Sequence, residues 1–508
     1  MKKAIEISRK IASIICGIIL FTACDDFLDE LPSKSTRLPV STIEQLDAIL
    51  AKYTDFCEEP NKAALCGHDD YGFPVALYDA QPMFFPGPTQ ILQSYLWDYE
   101  NLANGSDVFW GGDGYNKSGE YSKIFRANMV LSCLNDVEGS SEDKARLKAE
   151  AHFIRAYSHW NLVNTYSLPY TDATKTEPGI PLKKSTSFEE SAGRGTLEDT
   201  YKFIESDLQE ALKCKTTLIQ DGKCKHWRAN TAGINGFMAR YYLNRNDYTN
   251  ALKHANDALT EYSTLVNYNS EMGEEDSMGV GINFPTTFEW DANIYTKRIK
   301  WKETLYMKFL YSTNVSTLFF PSEDLQDLYD TEHDLRYKYH FTEGVMDMYL
   351  CDYPYPIYTF FSMNHIPSGP TTAEMYLIKA ESQARLGDYT QAMETVNTLR
   401  AKRMVPGEWV KLQANNQTEA IRQILEERRR EMPFSQRWFD LRRLNNNEDP
   451  NDDIADVTRT FYRISSTTIY DKEEPIIYTL KKNSRKYAFP IRENEIELSN
   501  GAMQQNTY

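Results

Sequence analysis

Residues 371–400 read TTAEMYLIKAESQARLGDYTQAMETVNTLR, and their spacing predicts two helices joined by a tight turn. Thr371 and Glu374 stand three apart, the signature of a capping box at a helix start. Gly387 can take the left-handed backbone that ends a helix, and small Ala392 lets the next helix cross closely. An earlier stretch matches at a constant offset of 141 residues: Ala239 with Ala380, Asp247-Tyr248-Thr249 with Asp388-Tyr389-Thr390, Ala251 with Ala392, and Asn256 with Asn397. A helical hairpin is therefore repeated, in the manner of tetratricopeptide-like units.

Working outward, Ser140-Ser141 followed by Asp143 marks another helix start. The segment to Tyr166 carries apolar residues on two faces, as a helix packed on both sides does. Residues 263–370 read differently: a Gly/Glu/Met loop over 269–283, a strand from Thr304 to Tyr311, and a Pro/Tyr-rich stretch over 352–370. Residues 67–116 are similarly rich in Gly, Pro, Asp and aromatics. The predicted fold is mainly α. A tetratricopeptide-like helical-repeat scaffold covers mainly 115–262 and 371–445, and a loop-rich, partly β ligand-binding region covers mainly 67–114 and 263–370. Long irregular segments on a rigid scaffold are where function concentrates.

The chain has 508 residues, 41% apolar and 25% charged, which excludes disorder and a polytopic membrane protein. Its 56 basic residues against 73 acidic ones give a net charge of −17, so a nucleic-acid partner is not expected. The 33 tyrosines suit half-wet contacts, with an apolar ring and a polar tip. Residues 1–23 read as a signal peptide: Lys2, Lys3, Arg9 and Lys10 precede the apolar stretch Ile11 to Ala23, which is too short to span a bilayer. Small residues directly before Cys24 resemble a bacterial lipobox, which implies cleavage before Cys24 and lipidation of its thiol. Residues 24–40, with Asp25, Asp26, Asp29 and Glu30, read as a lipidated flexible tether, and residues 41–508 as the folded domain.

Among the other cysteines, Cys57 with Cys66 and Cys214 with Cys224 are close enough in sequence to form short-loop disulfides in an exported protein. No zinc, phosphate-loop, dinucleotide or serine-hydrolase motif occurs, so no cofactor, metal or catalytic residue is expected. Asp449, Asn451 and Asp453 imitate a calcium loop, but Ile454 and Thr460 occupy the positions that need Gly and Glu. His152 and His159 share a helical face without a third ligand and read as core or polar-network residues.

Several motifs carry a resemblance to a known family. They are Cys24-Asp25-Asp26-Phe27-Leu28, Tyr121 to Leu131, Ala149 to Tyr166, Glu374 to Arg400, Glu427-Arg428-Arg429-Arg430-Glu431, Arg437-Trp438-Phe439-Asp440-Leu441-Arg442-Arg443, and the closing segment from Phe489 to Tyr508. Together they resemble the SusD/RagB family of outer-membrane nutrient-binding lipoproteins, over nearly the whole chain. The resemblance implies a cell-surface, lipid-anchored protein that binds oligosaccharide and passes it to a SusC-like, TonB-dependent transporter without chemistry of its own. Peptide capture and a glycoside hydrolase on the same scaffold remain alternatives. Read bottom-up, the Arg437–Arg443 run is structural: its rings can bury while Asp440 pairs with a neighbouring arginine.

For the ligand site, a sugar offers an apolar face for stacking and hydroxyls for polar partners. Aromatic or polar residues in the irregular segments meet both needs, which singles out Asp70, Tyr71, Trp97, Asn101, Trp290, Tyr295 and Phe319. Trp97 leads this set, because Asp98, Asn101 and Asn104 follow it.

Overall fold

The computed structural model describes residues 40–508 apart from 81, 83–86, 106, 112–118, 277–278, 280, 288–299, 312–317, 351 and 362–364. The signal peptide, Cys24, nearly all of the tether, Trp290 and Tyr295 lie outside the described residues. Among the described residues, ten helices carry the scaffold: α1 (Ile43–Ala51), α2 (Glu120–Cys133), α3 (Ser141–Tyr166), α4 (Leu197–Ala211), α5 (Thr231–Asn244), α6 (Tyr248–Glu261), α7 (Thr372–Arg385), α8 (Tyr389–Arg400), α9 (Gln417–Glu431) and α10 (Arg437–Leu444). Helices α2 and α3, α3 and α4, α5 and α6, and α7 and α8 pack as neighbouring pairs, α6 lies on α7, and α7 lies on α9. No described helix is long and apolar enough to cross a membrane.

The repeat is preserved to the residue. Helices α5 and α7 begin at Thr231 and Thr372, and α6 and α8 at Tyr248 and Tyr389, each pair 141 apart. Asp247 and Asp388 both cap the second helix, accepting from Asn250 N and Gln391 N. The turn needs a left-handed residue, supplied by Asn246 (φ 57°) in one copy and Gly387 (φ 99°) in the other. Ala239, Ala251, Ala380 and Ala392 are wholly buried where the helices cross.

The capping box is only half formed. Thr371 Oγ1 accepts from Glu374 N at 3.1 Å, but the Glu374 carboxylate turns inward to Arg240, 2.9 and 2.6 Å from Nε and Nη2. A buried guanidinium must be matched, and that demand outweighs a cap worth about 1 kcal/mol.

Helix α3 is buried along almost its whole length from Phe153 onward, as a doubly packed helix should be. His152 and His159 serve as polar-network residues, with ring Nδ1 atoms 2.7 Å from Asp207 Oδ1 and 2.8 Å from Arg155 O. The strand expected over Thr304–Tyr311 is shorter. It forms β2 (Phe309–Tyr311), paired in parallel with β1 (Glu58–Glu59) and antiparallel with β3 (His365–Pro367). A separate antiparallel ribbon joins β4 (Val457–Phe461) to β5 (Ile476–Leu480).

The arginine runs build a buried ionic lattice. Helical spacing sends the residues from Glu427 to Glu431 in different directions. Arg428 donates to Asp440 (2.8 Å), Arg429 to Asp70 (2.9 Å) and Arg430 to Glu427 (2.9 Å), while Glu431 receives Arg336 and Arg403. In α10, Asp440 also accepts from Arg443 (2.7 Å), which reaches Glu381 (2.6 Å). Trp438, Phe439 and Leu441 are buried. The structural reading of this run holds.

Candidate functional site

The loop at 67–76 passes over the end of the scaffold and is clamped to it. Arg437 holds Asp69 through two 2.7 Å hydrogen bonds, and Arg429 donates to Asp70. Burial pushes the Asp69 carboxyl up, yet the Arg437 and Arg429 guanidinium groups outweigh it and hold the group ionised, below the usual carboxylate range. Gly72 lets this loop lie directly on Pro321-Ser322: a Cβ there would stand 2.9 Å from Ser322 Cα. Gly72 N donates to Phe320 O and Ser322 N to Asp70 O, at 2.8 and 2.9 Å.

Between this loop, the Pro321–Gln326 segment, Tyr353–Tyr355 and β4 lies an open groove of about 710 Å³. Alternation along β4 decides what it presents: Val457, Arg459 and Phe461 point into the core, Thr458 and Thr460 outward. Ser322 caps the short helix Glu323–Gln326, so Glu323 and Asp324 stand exposed in its first turn. Tyr355 is 46% exposed and meets Tyr353 edge to face at 5.0 Å. Buried Tyr71 forms part of the wall, and its hydroxyl has no hydrogen-bond partner among the described residues. The groove thus joins an exposed ring to carboxylates and hydroxyls, the combination that holds a polyhydroxylated ligand.

Two other concavities suit a ligand less well. One of about 1020 Å³ is lined by Lys338, Glu343 and Asp347, and its one aromatic ring, Phe341, is buried. Another, beside Trp301 and Glu431, measures about 30 Å³ and has room for about two water molecules.

The residues singled out from sequence fall largely beneath the groove. Trp97 is a correction: it is 1% exposed, its Nε1–H donates to Gly67 O at 3.0 Å, and Arg459 stacks on its ring at 4.3 Å. It is a core residue that anchors the loop from below. Phe319 is wholly buried against Phe434 at 5.3 Å and cannot be reached by a ligand. Asp70 is wholly buried and ties the loop to α9. Asn101 Nδ2 donates to Asp98 Oδ2 at 2.8 Å, a local helix-start contact outside the groove. Among the described members of the set, Tyr71 alone lines it.

The two short-loop disulfides are not formed. Cys57 and Cys66 end separate short helices, and Cys66 Sγ lies 3.3 Å from Lys62 O. Cys224 sits in a two-residue strand with Sγ 3.3 Å from His226 Nδ1, while Cys214 Sγ lies 3.9 Å from Thr216 O.

Sequence reasoning missed Tyr353 and Tyr355 as individuals, although they lie in the Pro/Tyr-rich stretch marked as irregular. It also missed Glu323, Asp324 and Asp456. Only the alternation Val457-Thr458-Arg459-Thr460-Phe461 signalled a half-exposed strand there.

Two family models match the chain: one described as starch-binding associating with outer membrane, over residues 26–243, and the SusD family, over residues 372–508. A SusD-like protein of Formosa agariphila is 25% identical over 391 residues, 64% of this chain and 71% of that protein. Among solved structures, a SusD superfamily protein of Bacteroides thetaiotaomicron covers 92% of this chain and 100% of its own at a TM-score of 0.60 and 18% identity. A laminarin-binding SusD-like protein covers 92% and 99% at 0.54 and 16%. These likenesses establish the shared fold.

Proposed function

This chain belongs to the SusD family, and on that premise we propose that it captures an oligosaccharide at the cell surface and delivers it to a TonB-dependent outer-membrane transporter. The observation that carries the reading is the exposed ring of Tyr355 set among hydroxyls and carboxylates in the groove. Glycan binding is a family trait, and a protein of this fold binds laminarin. The protein acts by binding alone. Lipidation of Cys24 keeps the domain at the outer membrane on its acidic tether.

A soluble protein beginning at residue 25, screened against glycan and peptide libraries, tests the ligand class. Binding confined to peptides overturns the reading. Isothermal titration against a bound glycan should show Tyr355→Ala weakening affinity at least ~10-fold with the Tm nearly unchanged, and unaltered affinity removes the groove from the site. Cys24→Ala should release the full chain from membranes, which fractionation with a salt wash reads directly; retention of the variant would refute the anchor.

A further inference from the structure

We propose that the groove sorts its ligands by charge, admitting uncharged or amine-bearing sugar units and rejecting chains that carry uronate or sulfate groups. This rests on the groove being the glycan site. Three carboxylates line it exposed to solvent, Glu323, Asp324 and Asp456, and none makes an ion pair among the described residues. The fourth, Asp69, is already matched by Arg437.

Among the described residues, no exposed lining cation offsets them. The one basic residue of the wall, Arg459, is 5% exposed, its guanidinium stacked on Tyr95 (3.8 Å) and Trp97 (4.3 Å) and donating to the Tyr95 and His68 carbonyls. Its guanidinium is committed to these partners.

The buried carboxylates of the scaffold, Glu374, Glu381 and Glu427, are matched by arginine. Here three unmatched groups share one concavity with the exposed Tyr355 ring and the unpartnered hydroxyl of buried Tyr71. Sugar hydroxyls donate to carboxylates in charge-assisted hydrogen bonds, so an uncharged chain is held. A uronate within ~7 Å of each carboxylate is weakened about 2- to 3-fold by each in water, and three together give about tenfold or more.

The test uses isothermal titration with neutral glucan, mannan, galactan and xylan oligosaccharides, each glucan, mannan and galactan beside its C6-oxidised uronate form and each xylan beside its sulfated form. At ~20 mM salt the charged partner of a bound neutral chain should bind at least ~10-fold more weakly, and at ~500 mM salt the gap should narrow severalfold. The salt response separates repulsion from the loss of a hydroxyl, and it needs only the wild-type protein. In the Glu323→Gln, Asp324→Asn, Asp456→Asn variant the gap should close to within about threefold at low salt. Equal binding of both partners, a gap indifferent to salt, or a gap unchanged in a variant of unaltered Tm overturns the charge rule and leaves glycan binding intact. Silence across the whole panel overturns the glycan reading and the charge rule with it.

Discussion

Around α7, α9 and α10 most of the buried arginines find a carboxylate, while some of the groove's carboxylates find no arginine at all. Arg240, Arg336, Arg403 and Arg443 are nearly inaccessible, and each is held by at least one carboxylate within 3.0 Å. Glu323, Asp324 and Asp456 stand exposed at the other region without an ion pair among the described residues, and Asp456 Oδ1 accepts from Lys482 N at 2.8 Å. The difference follows from desolvation. A buried ion without a partner costs several kcal/mol, so each buried arginine needs a carboxylate, as Arg240 and Arg443 have, or carbonyls, as Arg442 has at Tyr487 and Ser167. An exposed carboxylate costs the fold almost nothing, which leaves its position free to serve binding.

The strongest way to break the comparison is to remove one acid from the lattice. Glu374→Ala deprives both Arg240 and Arg428 of a partner, with Arg428 Nη2 3.5 Å from Glu374 Oε1. Two buried guanidinium groups would be left under-compensated, for an expected loss of about 5 kcal/mol. Urea unfolding measures it, and a loss below ~1 kcal/mol would mean that water already reaches these charges.

Trp97→Ala comes next and sharpens the boundary between the two regions. The ring is buried beneath the groove and the residue takes φ 53°, so truncation opens a cavity under the loop. The expected cost is about 3 to 5 kcal/mol. Thermal denaturation reads it, and a Tm unchanged alongside abolished glycan binding would return Trp97 to the ligand site.

How much of this was legible in the sequence divides along the same line. The repeated hairpin was readable because Asp247 and Asp388, Asn246 and Gly387, and the four crossing alanines each answer a local demand of helix ends and close packing. The Arg437–Arg443 run was readable as structure because its rings can bury while Asp440 pairs with a neighbouring arginine, Arg443. The groove was not. Trp97 and Tyr355 both lie in irregular segments near Pro and Gly, and nothing in their local spacing tells which ring is buried. That depends on Arg459, 362 positions beyond Trp97, folding back to stack on it. The capping-box reading of Glu374 erred through a distant partner as well, since Arg240 outcompetes the helix start.

The smallest expected effect is the variant Glu323→Gln, Asp324→Asn, Asp456→Asn followed by stability alone. Each change touches an exposed group without an ion pair, so each should alter stability by no more than about 0.5 kcal/mol at neutral pH. Acid sharpens the contrast further. Burial pushes the Glu381 carboxyl up, but Arg443 and Arg385 override it and bring the group down to about 2 from its ordinary 4.5. A group depressed in the folded state binds protons more weakly there than in the unfolded chain, so its stabilisation is complete above pH ~4.5 and disappears as pH falls toward ~2. Glu427, set among Arg336, Arg430 and Arg400, is held lower still and acts in the same direction. Urea midpoints measured from pH 5 to 2.5 should therefore fall equally in the wild type and the triple variant, because the lattice that loses its charges is untouched by the substitutions. A flatter acid limb in the variant would show that the groove carboxylates also carry folded-state stabilisation, and the division between matched and unmatched charge would fail.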